Sequence, residues 1–311
     1  MKILITGGLG FVGSHLADSL SRSHEILILT KSFSKKNNLR KSSKKIKIQK
    51  CDVTRPKILG RIIEKFRPNI IVHLAGNASH ANSFEKPFLD IDSNLKSTLI
   101  ILEKIRELNL PCKFILGSTF IVIGRPEKLP VDENSPCRPT SIYGTTRLAS
   151  EHLCQIYHHV YGLKTNIFRI TNSFGPREQI IPTKNAVNFL IYQSLKQKKI
   201  LIYNNGNLFR DLLYIDDVIS GIRTIIRNGK PGELYWIASG KKFWFKDLAK
   251  LLQKLNNCKV IYPETPKYTK KVDVGNFHVD NSKLKKLGWY PKFSVEKGVI
   301  KTQKFFKEND F

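Results

Sequence analysis

Short, largely apolar runs recur through the first half of the chain, and between them lie stretches with the 3.6-residue spacing of helices. Lys2–Thr6 is a β-favouring run, Gly7-Gly8-Leu9-Gly10-Phe11-Val12-Gly13 a glycine-rich bend, and Ser14–Leu20 has helical character. Together they predict strand, tight turn and helix. Glu25–Thr30 predicts a second strand and Ile46–Gln49 a third, with a basic loop over Lys31–Lys45 between them. Ile58–Phe66 reads as a helix, Ile70–Gly76 as a buried strand running into a small-residue loop, and Asp92–Leu108 as a further helix. Lys113–Gly117, a long helix over Thr140–Tyr161 and a strand over Thr165–Ile170 complete the series. Strand alternating with helix predicts an α/β fold, a Rossmann-type doubly wound parallel sheet covered on both faces.

Beyond Thr171 the pattern changes to longer loops marked by Pro176, Pro182 and Gly206, with one clear amphipathic helix over Leu248–Leu255. The expected organisation is a larger N-terminal domain over 1–171, to which 211–230 returns, and a smaller C-terminal α/β domain over 172–311.

Composition changes this picture only by exclusion. A chain of 311 residues, 41% of them hydrophobic, buries a large core and is not disordered. No apolar run approaches the roughly 18 residues of a membrane span, and the first strand is too short for a signal peptide. A cytoplasmic protein with no membrane partner is expected. Cys51, Cys112, Cys137, Cys154 and Cys258 are dispersed without ligand spacing, so they read as reduced thiols and no metal site is expected. The net charge of +28 invites a nucleic-acid partner. Lysine is nevertheless spread along the whole chain, densest over Lys31–Lys50 and Lys267–Lys286, and no nucleic-acid motif accompanies it, so none is expected.

Candidate chemistry begins at the first bend. Gly7, Gly10 and Gly13 keep a G-x-x-G-x-x-G spacing between a strand and a helix, where missing side chains let the backbone approach a pyrophosphate. The helix's free N–H groups would then face the phosphates. At the end of the second strand, Thr30-Lys31-Ser32 lacks the carboxylate that would bind ribose hydroxyls of NAD. The cofactor is therefore NAD or NADP, with the basic and hydroxyl residues favouring NADP. Tyr143 and Arg147 lie four apart at the start of the long helix and share one face. A tyrosine serves as acid and base near neutral pH when an adjacent cation stabilises its phenolate.

In company these stretches become specific. Thr6–Gly13, His73-Leu74-Ala75-Gly76, Gly117-Ser118-Thr119 before Val122-Ile123-Gly124, and Tyr143-Gly144-Thr145-Thr146-Arg147 resemble the extended short-chain dehydrogenase/reductase family. Arg169–Arg177, Arg210–Val218 and Asp280–Pro291 extend the resemblance across the whole chain, in the nucleotide-sugar epimerase, dehydratase and reductase branch.

The resemblance implies roles for individual residues. Phe11 and Val12 would lie under the pyrophosphate, Asp52 would meet the adenine amino group and Val53 its ring. Leu74, Ala75 and Gly76 would line the cofactor, with Lys31 at its ribose and Asn94 supporting the nicotinamide side. Thr119 matches the residue that hydrogen-bonds the reacting sugar hydroxyl, and Tyr143 the proton-transferring tyrosine. Asn172 and Arg210 match positions that hold the nucleotide diphosphate, and Lys270 stands where the family places a phosphate-binding arginine. Arg147 replaces the lysine of the family's Tyr-x-x-x-Lys, an exchange that keeps the charge but changes its shape.

The activity implied is that of a nucleotide-sugar 4-epimerase acting through a 4-keto sugar. The alternatives are an NADPH-dependent 4-keto-sugar reductase, or a homologue that binds cofactor and nucleotide with weakened catalysis. Dehydration is disfavoured, because Phe120-Ile121 follows Thr119 where dehydratases carry Asp-Glu. A homodimer through Asp92–Leu108 and Ser150–Tyr161 is expected from the family. Among the remaining polar residues, His73 reads as a core histidine and Asp216-Asp217 as the cap of the following helix.

Overall fold

A computed structural model describes residues 1–39, 46–77, 80–182, 185–266 and 272–309, with only the backbone of 80–82. The expected basic loop therefore falls partly, and Lys270 wholly, outside the described residues.

Seven of the described strands form one parallel sheet: β1 (Lys2–Thr6), β2 (Glu25–Thr30), β3 (Ile46–Lys50), β4 (Ile70–His73), β5 (Lys113–Thr119), β6 (Lys164–Ile170) and β11 (Leu234–Ile237). Their order across the sheet is β11-β6-β5-β4-β1-β2-β3. The strand order reverses between β1 and β4, whose registers include Ile3 against Ile70 and Thr6 against His73. Crevices open at such a reversal, beyond the carboxyl ends of the strands. β11 pairs with β6 from Leu234–Ile167 to Ile237–Ile170, so the chain returns to this sheet as far as Ile237.

Alternation along each strand sends side chains to two separate cores. Ile3, Ile5, Ile26, Ile28 and Val72 join Leu16 of α1 (Phe11–Leu20) on one face. Leu4, Leu27, Leu29 and Ile71 join Ile63 of α2 (Pro56–Phe66) on the other. This period-2 switch is what a sheet buried on both faces requires.

Two short helices, α3 (His80–Glu85) and α4 (Pro87–Asp90), precede a π-turn over Ile91–Lys96 and then α5 (Ser97–Glu107). The expected continuous helix over Asp92–Leu108 is thus broken into a wider turn and a regular helix. At the break, Thr98 from the next turn and Ser150 from a different helix both donate their hydroxyls to the Asn94 carbonyl, at 2.8 and 3.1 Å. α6 (Ile142–Tyr161) packs beside α5 and the π-turn.

Among the described residues, the rest of the chain forms three two-stranded sheets. β7 (Asn172–Phe174) pairs with β10 (Leu212–Tyr214), β9 (Phe209–Arg210) with β12 (Phe243–Trp244), and β8 (Lys199–Leu201) with β13 (Lys259–Ile261). Around them lie α7 (Ala186–Lys196), α8 (Ile215–Asn228), α9 (Phe245–Asn256), α10 (Ser282–Lys285) and α11 (Val295–Glu308).

Asp216 and Asp217 do not cap α8. That helix is capped at Tyr214 without a side-chain bond. The buried Asp217 carboxylate instead accepts the backbone N–H groups of Lys292 and Phe293, both at 2.9 Å, and so ties the C-terminal loop to the helix. His73 is a core histidine, fully buried between the Thr6 hydroxyl at 2.7 Å and the Ser97 hydroxyl at 3.0 Å. Burial, reinforced by the Arg147 charge, pushes its pKa down to about 3, so the ring is neutral near pH 7.

Candidate active site

One cleft of about 1440 Å³ runs from the β1–α1 turn, past the ends of β4 and β5, to the loops around β7 and β9. Gly7, Gly10, Phe11, Val12, Gly13, Lys31, Asp52, Val53, Leu74, Ala75, Gly76, Thr119, Tyr143, Arg147, Asn172 and Arg210 all line it. Asn94 stands one layer behind, and Lys270 lies outside the described residues.

The glycine turn is built for close approach. A Cβ on Gly13 would lie 2.5 Å from the Gly7 carbonyl oxygen and 2.7 Å from Gly8 Cα, so only glycine lets α1 begin so near β1. α1 opens at Gly10 with no side-chain cap and no acidic residue in its first turn. Its first N–H groups therefore face the cleft without a competing carboxylate, as an anion at a helix N-terminus requires.

At the same carboxyl end of the sheet, just beyond β3, Asp52 accepts hydrogen bonds from the Thr54 amide at 3.0 Å and hydroxyl at 2.8 Å, with Lys31 Nζ 3.5 Å from its other oxygen. Burial pushes the Asp52 carboxyl up, but the Thr54 bonds and the Lys31 charge outweigh it, holding the group below its usual range.

Thr119 ends β5, where its Oγ1 accepts the Ile121 amide at 3.3 Å and caps a 3₁₀ turn over Phe120–Ile123. Its O–H stays available to donate. Tyr143 lies in the first turn of α6, which Ser141 caps by accepting the Gly144 amide at 3.1 Å. One turn along, the buried Arg147 guanidinium lies 5.8 Å from the Tyr143 ring centroid and donates to the Gly117 carbonyl at 3.2 Å. Thr119, Tyr143 and Arg147 are thus brought together by one strand end and one helix start.

Gly76 closes this corner. Its φ is +148°, and a Cβ there would fall 2.2 Å from Asn94 Oδ1 and 2.5 Å from Arg147 Nη2. Asn94 donates to the Thr146 hydroxyl at 3.1 Å, linking the π-turn to α6. Asn94 Oδ1 and Arg147 Nε are buried with no partner among the described residues. Such orphaned groups are costly unless a ligand or water satisfies them. The free helix N-terminus at one end of the cleft and these unfilled groups at the other fit a dinucleotide.

Across the cleft, Asn172 Oδ1 is likewise buried without a partner among the described residues. The Arg210 guanidinium is buried and donates to the Asp273 carboxylate and the Gly275 carbonyl. Burial lowers its pKa and the Asp273 charge partly offsets this. The sequence reading passed over Ser118, Glu151 and Arg169, which form a buried cluster directly behind Thr119. Glu151 lies four residues after Arg147 and eight after Tyr143, and that spacing on one helix face was the available signal.

A parallel nucleotide-binding sheet, with a glycine turn at its reversal and a Thr–Tyr–Arg cluster in the same cleft, defines a Rossmann-type enzyme that uses a nicotinamide dinucleotide. Residues 4–302 match the family described as GDP-mannose 4,6 dehydratase. The UDP-glucuronate 4-epimerase of Thermodesulfobacterium geofontis is 30% identical over 327 residues, covering 98% of this chain and 96% of that protein. Two solved structures superpose closely. The Thermotoga maritima UDP-glucose 4-epimerase with UDP-glucose has a TM-score of 0.92 and 29% identity, covering 100% of both chains. The Thermus thermophilus UDP-glucose 4-epimerase with NAD has a TM-score of 0.88 and 26% identity, covering 99% of this chain and 100% of that one. The chain belongs to the extended short-chain dehydrogenase/reductase family, in its nucleotide-sugar epimerase/dehydratase branch. Among the described residues, no helix is long and apolar enough to cross a membrane.

Proposed function

We propose that this chain is a nucleotide-sugar 4-epimerase with NAD as its resident cofactor. The observation that carries the reading is the convergence of Thr119, Tyr143 and Arg147 on the cleft that begins at the glycine turn. The nicotinamide, when bound, supplies the acceptor and donor of hydride. The protein's own groups do the rest. Thr119 orients the reacting sugar hydroxyl. Tyr143 takes its proton on oxidation and returns it on reduction. Arg147 places a cation beside the phenol where negative charge develops on its oxygen, in a site largely closed to water. Asn172 and Arg210 hold the nucleotide diphosphate, the first through its amide N–H donors on the cleft wall and the second through a guanidinium fixed by Asp273. The family resemblance implies the same phosphates as the partner of Lys270.

Elimination across C5 and C6 is disfavoured, because the two positions directly after Thr119 hold Phe120-Ile121 and carry no acid or base. Phe120 follows Thr119, and its ring packs edge-on against Phe277 at 5.1 Å, where it transfers no proton. The NADPH-dependent reductase is the second reading, favoured by Lys31 and Lys35 on the cleft wall at the end of β2. Conversion of a UDP-hexose into its C4 epimer without net consumption of added cofactor distinguishes the two.

The chain acts as a homodimer in this reading. Phe88, Leu99, Ile156 and Val160 stand exposed on α4, α5 and α6, with Phe88 79% and Val160 61% accessible. An apolar surface of this kind on adjacent helices suits a second copy. Sedimentation should give twice the chain mass, and a single chain mass at micromolar concentration would contradict the pairing.

A further inference from the structure

Ser118 immediately precedes Thr119, and its hydroxyl donates to Oε1 of Glu151. Glu151 is 1% exposed on α6, the helix that carries Tyr143 and Arg147. Arg169 on β6, 3% exposed, holds the same carboxylate: Nε lies 3.1 and 3.2 Å from its two oxygens, and Nη2 2.6 Å from Oε2. Arg169 is itself held, with its guanidinium 5.4 Å from the Trp236 ring centroid and Nη2 donating to Cys137 Sγ at 3.2 Å. One buried carboxylate therefore joins β5, β6 and α6 behind the cleft.

A buried ion pair gains little net stability over apolar residues of the same volume, because both charges must leave water. What this one does gain is placement. The last residues of β5 are pinned to α6 twice in succession, at Gly117 through Arg147 and at Ser118 through Glu151. The next residue is Thr119, which also pairs with Ile170 of β6, so these two ties act with the strand ladder to set its distance from Tyr143. Reaction rates are sensitive to displacements of about 1 Å at a reacting group.

We propose that Glu151, clamped by Arg169, is a positioning residue that fixes Ser118 and thereby holds Thr119 at its working distance from Tyr143. This rests on the roles given above to Thr119 and Tyr143. Glu151 does not line the cleft and acts only through Ser118.

Ser118→Ala tests the tie while leaving the ion pair whole. It should lower kcat roughly tenfold to a hundredfold, with KM and NAD affinity unchanged and the melting temperature retained. Amide exchange over residues 119–123 should quicken, and Ser118→Thr, which restores the hydroxyl, should recover both rate and protection. Glu151→Gln leaves Arg169 buried without its counter-charge, so it is expected to lose stability and serves only to confirm the clamp. A Ser118→Ala enzyme with the original kcat, or with the original exchange over 119–123, overturns the proposal. A fall in NAD affinity matching the fall in kcat does so too, since Ser118 would then be a ligand contact. Should the unsubstituted chain turn over no nucleotide sugar, the functional reading fails, and the exchange comparison alone decides the tie.

Discussion

Tyr143→Phe is expected to lose turnover by roughly 10²–10⁴-fold, the range that a positioned acid/base group contributes, while binding NAD as tightly as the unsubstituted chain. The substitution removes one oxygen and keeps the ring, which packs in a cluster with Val122, Trp236 and Phe277. Arg147 keeps its bond to the Gly117 carbonyl, so the corner should not rearrange. Steady-state rates with a UDP-hexose, beside a fluorescence titration with NAD, separate the two quantities. A rate within threefold of the original would remove the phenol from the chemistry.

Gly13→Val should have the opposite signature, with NAD affinity lost before any question of chemistry arises. A Cβ there meets the backbone of Gly7 and Gly8 at 2.5–2.7 Å, and backbone atoms cannot swing aside as a side-chain end can. α1 must move away from β1, which carries its first N–H groups off the phosphate position. A loss of affinity on the order of a hundredfold is expected, along with about 1–3 kcal/mol of stability from overpacking. The same fluorescence titration, run on a variant first shown to be folded by circular dichroism, gives the answer. Unchanged affinity would mean that the cofactor does not rest on this turn.

The two variants divide the site as the sequence divides it. The glycine turn and the strands around it were legible because each signal is local: Ile3, Leu4 and Ile5 form a continuous apolar run, and three glycines follow at fixed spacing. Tyr143 and Arg147 were legible as neighbours because four residues is one helical turn. Features set by distant partners were not. The π-turn over Ile91–Lys96 has ordinary helical spacing, and its widening comes partly from Ser150 on another helix. Asp217 resembles a helix cap, yet its partners lie 75 and 76 residues away. β11 is only Leu234–Ile237, too short a run to announce a seventh strand beside β6. Glu151 shares a helix face with Tyr143 and Arg147, but its partners Arg169 and Ser118 come from two separate strands and are not read from that spacing.

Arg147 is where local reading and packing meet. In sequence it is a departure from the family's lysine. In the structure its planar group lies over Gly76, reaches Gly117 and faces the Tyr143 ring. A guanidinium has the reach and the donors for all three at once, whereas an ammonium is a point charge.

The most direct measurement is proton NMR of the holoprotein with a UDP-hexose in heavy water, with no cofactor added. Tyr143 exchanging protons with the sugar hydroxyl, beside a bound NAD that is neither used up nor replaced, predicts both C4 epimers at equilibrium with no deuterium at C4. Product that appears only in step with added NADPH, or a single epimer that never changes, would contradict the account.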